Sequence, residues 1–417
     1  MQINRRHCLK TLAVASGTVR ASRPGWLMGA TKAPDKRIAL IATIYRPNSH
    51  ADVICGKMLH GWKEDRGAGP RLTLVSMYID QFPEDDMAKK LCTDFGIRLC
   101  KTIDEALTFG SDSLQVDGVI SIGEHGDYPW NELEQHLYPR KRFFEEITNA
   151  MRRVDGKVPV FNDKHPGPQW EDAWWMYQRA KEMELPWMAG SSLPVSYRSP
   201  DRTLGWKESI RGALAVGYSG LDIYGFHTLD FLQAMIERRP GGGVGVQAVE
   251  ATPCKDLDLW VRDQKIDRIL LDLGLSASGT SYDSLLQKPP EDGCLFLIEY
   301  ADGLRVPVVM LGSSGSGISV AIRPRKGDPW VTKAEERTEP RYPHFAYLLK
   351  GMERMFWQGK PSYPVERTMI AAGILDRCLV SRQGGHQRIE TPMLNLHYQP
   401  VDYGYAPHID LLQDPST

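Results

Sequence analysis

The stretch Val158-Pro-Val-Phe-Asn-Asp-Lys-His165 decides how this chain is read. A run of apolar β-formers gives way within one residue to four hydrogen-bonding side chains, three of them titratable. A chain that passes so abruptly from core to charge delivers those groups to the carboxyl edge of a sheet, where open α/β proteins bind ligands. The pattern recurs. Ile120-Ser-Ile-Gly123 is followed by Glu124-His-Gly-Asp-Tyr128, and Tyr224-Gly-Phe226 leads into His227 and Asp230, read as a third strand end. Asn, Asp and His-Pro also form ordinary turns, and His227 alone reads equally as a satisfied interior histidine. If the first two strands are neighbours, Glu124, His125, Asp163, Lys164 and His165 share one crevice.

Outward from that point, strands alternate with helices. Strands are expected at 38–44, 72–79 (ending at Asp80), 116–122 and 158–161. Helices are expected at 49–62 with Ser49 as N-cap, 85–95 closed by Gly96, 102–109 and 143–153. Such spacing implies a parallel sheet with right-handed crossovers. Beyond Pro166 the rhythm changes. A Trp-rich helix over 170–183 precedes longer strands through 205–325, with glycine-rich breaks at 241–243 and 312–317, then helices at 345–357 and 364–379. The fold class is α/β: a Rossmann-like domain over 35–165, then an α+β domain over 166–417 with a mostly antiparallel sheet.

The 417 residues carry 51 basic and 52 acidic side chains, a net charge of −1, with no long basic run. Nucleic acid and anionic membrane need a positive footprint and are excluded as main partners. No run of eighteen apolar residues offers a membrane span. The seven cysteines lack CxxC spacing, so free, buried thiols are expected. Arg5-Arg6 ahead of a short apolar run reads as a Tat-type leader over 1–34, with export to the periplasm expected.

A lysine among apolar and cationic neighbours loses charge readily, and a histidine titrates near neutrality. A Lys/His pair therefore suits proton transfer to and from a hydroxyl or carbonyl. Alternatively His125, Asp127, His165 and His227 are N and O donors for a divalent metal, although no HxxxH pair supports this.

The strand pattern, Asp80 closing the second strand, Asp163-Lys164-His165 and Gly225-Phe-His227-Thr-Leu-Asp230 resemble the Gfo/Idh/MocA family of NAD(P)-dependent oxidoreductases. Tyr363-Pro-Val-Glu-Arg367 and Gly373 to Ser381 are similar to that family's late helix. The resemblance implies hydride transfer on a sugar or polyol derivative with NAD as cofactor. It carries the family's lysine onto Lys164, its histidine onto His227 and the ribose contact onto Asp80. It also implies homo-oligomers formed through an exposed face of the C-terminal sheet. In place of the family's Gly-x-Gly-x-x-Gly stands Ala42-Thr43-Ile44-Tyr45-Arg46-Pro47. There Thr43, Tyr45 and Arg46 take the cofactor positions: either Tyr45 and Arg46 fill the pocket, or Arg46 holds the phosphates by another route. Acidic Glu124 falls near where phosphate or ribose belongs.

Three readings follow. The first is an NAD(P)-dependent carbohydrate oxidoreductase using Lys164 and His227. The second is a lyase, hydratase or isomerase on the same scaffold, working without the dinucleotide and with or without a metal through Glu124, His125, Asp163, Lys164 and His165. The third is an exported binding protein without catalysis.

Overall fold

The apolar run over 38–42 forms the centre of a six-stranded sheet. A computed structural model describes residues 33–417, so the twin-arginine pair lies outside the described residues. The sheet comprises β1 (Lys36–Ala42), β2 (Leu72–Ile79), β3 (Arg98–Cys100), β4 (Gly118–Ile122), β5 (Val160–Asp163) and β6 (Trp187–Gly190). All pairings are parallel, in the order β3-β2-β1-β4-β5-β6. Strand order reverses between β1 and β4, which puts a crevice at their carboxyl ends. The sheet runs past residue 165 and takes its sixth strand from the Trp187 segment.

Helices α1 (His50–His60), α2 (Ala88–Phe95), α3 (Ile103–Thr108), α4 (Arg140–Arg153) and α5 (Trp170–Glu182) connect these strands. Ser49 caps α1 through its hydroxyl, and Gly96 ends α2 in the left-handed conformation.

The second sheet contains β7 (Tyr197–Ser199), β8 (Ile210–Gly217), β9 (Val246–Pro253), β10 (Cys294–Tyr300), β11 (Arg305–Met310), β12 (Ser319–Pro324), β13 (Trp330–Glu335) and β14 (Ile389–Glu390). Its order is β14-β9-β10-β11-β8-β12-β13-β7, antiparallel except between β11 and β8.

The span 205–325 holds more than the strands expected there. It includes α6 (Ile223–Ile236), α7 (Leu257–Arg262), α8 (Arg268–Ala277) and α9 (Tyr282–Gln287), with α10 (His344–Gln358) and α11 (Val365–Gln383) following. His227 therefore sits in the first turns of a helix, not at a strand end. The sequence of α6 misleads because eleven of its fourteen residues are buried. A helix apolar all round has no stripe for periodicity to detect.

Alternate residues of the second sheet face opposite cores. Ala213, Ala215, Phe296 and Val308 pack with α6 and α11, while Leu214, Val216, Leu297 and Val309 pack under α7–α9. The sheet face expected to carry oligomer contacts is thus covered by the chain's own helices. Trp260 of α7 is 2% exposed in this layer. Trp260→Ala is expected to cost about 3–5 kcal/mol in a urea titration, the range for emptying a large aromatic site. A loss under about 1 kcal/mol would show that the helical layer is loosely attached.

Helix α10 returns to the first sheet, where Phe345, Leu348 and Met352 join the core of Ile38 and Leu40. Its first turn lies beside the crevice. The six described cysteines are all free and buried.

Candidate functional site

The ends of β4 and β5 and the first turns of α1, α6 and α10 surround a cavity of about 360 Å³. His50, Glu124, His125, Lys164, His227, Glu336 and His344 line it, together with Tyr138, Tyr224 and Tyr342. Its size suits a small polar ligand.

Glu124 is the hub. Its Oε1 lies 2.6 Å from Lys164 Nζ and its Oε2 2.8 Å from Arg140 Nη2, and all three side chains are buried. Thr43 fixes the backbone here: its hydroxyl donates to the Glu124 carbonyl at 2.5 Å and accepts from the Glu124 amide at 3.2 Å. Gly123 makes room for Arg140, since a Cβ there would stand 2.6 Å from Arg140 Cγ. Burial pushes the Glu124 carboxyl up, but Lys164 and Arg140 outweigh it and hold it well below the usual carboxylate range. The lysine's close neighbour is therefore a carboxylate, not the apolar and cationic setting expected.

Lys164 (φ +58°) and His125 (φ +67°) both adopt the left-handed backbone region. Neither is glycine, and conformations of this kind gather where surrounding structure forces a side chain into a working position. Lys164 is held by its backbone N–H, which donates to the Gly190 carbonyl at 3.0 Å.

Two histidines of the cavity have one ring nitrogen engaged. His50 Nδ1 lies 2.7 Å from Asp163 Oδ2, and His227 Nδ1 lies 2.7 Å from Ser191 Oγ. Burial, then the charge of Lys164, holds His227 well below the usual histidine range. Burial likewise lowers His125 to about 4 and His344 to about 3.

Of the residues read from sequence, Glu124, His125, Lys164 and His227 meet in the cavity. Asp163 stands behind His50, and His165 lies beneath the wall, with Nδ1 2.9 Å from the Gly167 carbonyl and its ring against Arg140. Asp127 is exposed outside. No group of three or more His, Cys, Asp or Glu among the described residues is arranged to hold a metal. The set His125, Asp127, His165 and His227 does not converge.

His50, Arg140, Ser191, Glu336 and His344 were missed. His50 was within reach, because it opens the helix after β1 just as Glu124 follows β4. Arg140 reads as one of a basic trio on a helix surface. Glu336 and His344 reach the site through chain reversals that no local pattern announces.

A dinucleotide in a Rossmann fold lies along this sheet edge, with pyrophosphate on the α1 N-terminus and ribose near the end of β2. The residues here do not fit it. Tyr45 is wholly buried inside the β1–α1 turn, and Arg46 turns outward toward Asp85. At the α1 N-terminus the Asp52 carboxylate accepts from the Asn48 amide at 2.8 Å and pairs with Arg341. An anion there would meet a carboxylate.

Asp80 closes β2 as expected, but its carboxylate already accepts from Tyr78 (2.7 Å), Tyr128 (2.6 Å) and Arg142 (2.7 Å). Gln81 and Asp127 add a reciprocal pair at 2.8 and 2.9 Å. The loop after β4 is therefore fastened across β1 to the end of β2, over the place a ribose would occupy. Thr43, Tyr45 and Asp80 take part in this closure, and Arg46 stands outside it.

No protein-family model matches the sequence, and no curated protein matches it either. Solved structures do. GenD2 from gentamicin A biosynthesis, determined in complex with NAD, aligns at a TM-score of 0.56 and 14% identity over 87% of this chain and 98% of its own. A myo-inositol dehydrogenase from Corynebacterium glutamicum aligns at 0.52 and 14%, over 85% and 98%. The UDP-N-acetylglucosamine 3-dehydrogenase GnnA from Acidithiobacillus ferrooxidans aligns at 0.51 and 11%, over 84% and 99%. At such identities the likeness is one of fold: the chain shares the two-sheet α/β fold of these solved dehydrogenases.

Proposed function

We propose that this chain is an enzyme acting on a carbohydrate or polyol derivative by acid–base chemistry of its own side chains. The carrying observation is a pair of facts about one sheet edge. The dinucleotide cradle is filled by Tyr45, Asp52 and the loop fastened to Asp80, while the adjoining cavity concentrates Glu124, Lys164, His50 and His227. Titratable groups gathered in one cavity, Glu124 and His227 among them shifted by their surroundings, favour catalysis over simple recognition. Lys164 supplies an ammonium that Glu124 orients toward a ligand oxygen, and the neutral ring of His227 supplies a hydrogen bond. The carbohydrate class is supported by the scaffold, whose solved examples include inositol and sugar-nucleotide dehydrogenases.

Saturation-transfer NMR with neutral mono- and disaccharides tests this. Transfer to at least one sugar is expected, falling by tenfold or more in Lys164→Met. No transfer to any sugar would overturn the reading.

A second reading, an NAD-dependent carbohydrate oxidoreductase, draws support from the shared scaffold and from the NAD in the GenD2 structure. The filled cradle stands against it in this chain.

A further inference from the structure

We infer that His50 and His227 form a pair of opposite polarity, His50 accepting a proton and His227 donating a hydrogen bond, arranged to enolise an α-hydroxy aldehyde or ketone of sugar size. The inference rests on the carbohydrate reading above and assigns it a reaction class.

The polarity follows from the partners of the two rings. Asp163 is 1% exposed, and as a carboxylate it only accepts, so in the neutral ring His50 Nδ1 carries the proton. Its Nε2 is then a bare lone pair. Ser191 Oγ already accepts from the Leu193 amide at 3.0 Å, so its hydroxyl proton is free to go to His227 Nδ1 at 2.7 Å. His227 then carries its own proton on Nε2. Ser191 is itself held by the bond from its amide to Asp230 Oδ2 at 2.9 Å, with Asp230 wholly buried. Among the described residues neither Nε2 has a hydrogen-bond partner, and both rings line the same cavity. The cavity therefore presents one acceptor and one neutral donor, with Lys164, held by Glu124, lining it as well.

A carbonyl compound matches this arrangement. His50 Nε2 takes the proton from the carbon next to the carbonyl. The C–H electron pair becomes the carbon–carbon double bond, and the carbonyl π pair moves onto oxygen. That growing negative charge meets the Nε2–H of His227 and the ammonium of Lys164, a preorganised donor set. The His50 imidazolium, steadied by Asp163, returns the proton to the former carbonyl carbon, while Lys164 gives a proton to the former carbonyl oxygen and takes one from the hydroxyl oxygen as that becomes the new carbonyl. Isomerisation results, with no net change in electrons. His50 is the catalytic base, and Asp163 and Ser191 are positioning residues.

Long-range ¹H–¹⁵N correlation on the full chain labelled with [¹⁵N]histidine reads the tautomers directly, with His50→Gln and His227→Gln for assignment. The expected result is Nδ1–H on His50, Nε2–H on His227, and a mixed tautomer at His50 in Asp163→Asn. The same tautomer on both rings would overturn the inference. Proton NMR in D₂O with neutral ketohexoses and aldohexoses reads the chemistry. Loss of an α C–H signal is expected, slowed at least 100-fold in His50→Gln and about tenfold in Asp163→Asn. Sugars that bind without exchange would sink the enolisation while leaving the carbohydrate reading intact, and failure of every sugar to bind would remove both.

Discussion

Replacing Glu124 by glutamine is expected to destabilise the protein by about 3–5 kcal/mol, the cost of breaking a buried ion pair from one side. The carboxylate holds two buried cations, Lys164 at 2.6 Å and Arg140 at 2.8 Å, and glutamine leaves both without a counter-charge. Arg140 is 1% and Lys164 3% exposed, so water can replace little of the lost counter-charge at either cation. On the proposed function, sugar turnover is expected to fall with stability, because the same carboxylate holds the Lys164 ammonium in the cavity. Urea denaturation of wild type and Glu124→Gln measures the first effect. A difference below about 1 kcal/mol would mean that Glu124 is not the hub of the site.

Acidification from pH 7 to pH 5 is expected to remove several kcal/mol of stability. His125, His165, His227 and His344 are held neutral in the fold, chiefly by burial, with His125 near 4 and His344 near 3. In the unfolded chain each titrates near 6.5, so over this window the unfolded state binds more protons and gains on the fold. Each histidine contributes on the order of 1–2 kcal/mol to that loss. Carboxyls raised by burial act in the opposite sense and offset part of it, Asp222 at about 6 among them. Glu124 does not contribute here: its depressed value adds stability that is lost only as pH falls below the ordinary carboxylate range. A thermal melt series across the window reads the slope, and a flat midpoint would contradict neutral, buried rings.

The Rossmann half was legible because each of its main strands, such as Ile38–Ala42 and Val119–Ile122, is a short apolar run bounded by turn residues. The convergence of Glu124 with Lys164 followed from the same reasoning, since β4 and β5 are neighbours. What sequence hid was the role of residues correctly placed. Asp80 ends β2, yet its partners Tyr128 and Arg142 come from a loop and a helix 48 and 62 residues away. The ring of His344 reaches the cavity only because α10 folds back onto the first sheet. Helix α6 was hidden for the opposite reason: burial on all sides erased its period.

Calorimetric titration of the full chain with NAD and with NADP tests the closed cradle most directly. No binding tighter than about millimolar is predicted for either, a free energy weaker than roughly −4 kcal/mol. A micromolar Kd that weakens in Asp80→Ala would contradict it. The loop fastened to Asp80 would then be one that opens for the nucleotide, and the site would belong to an oxidoreductase.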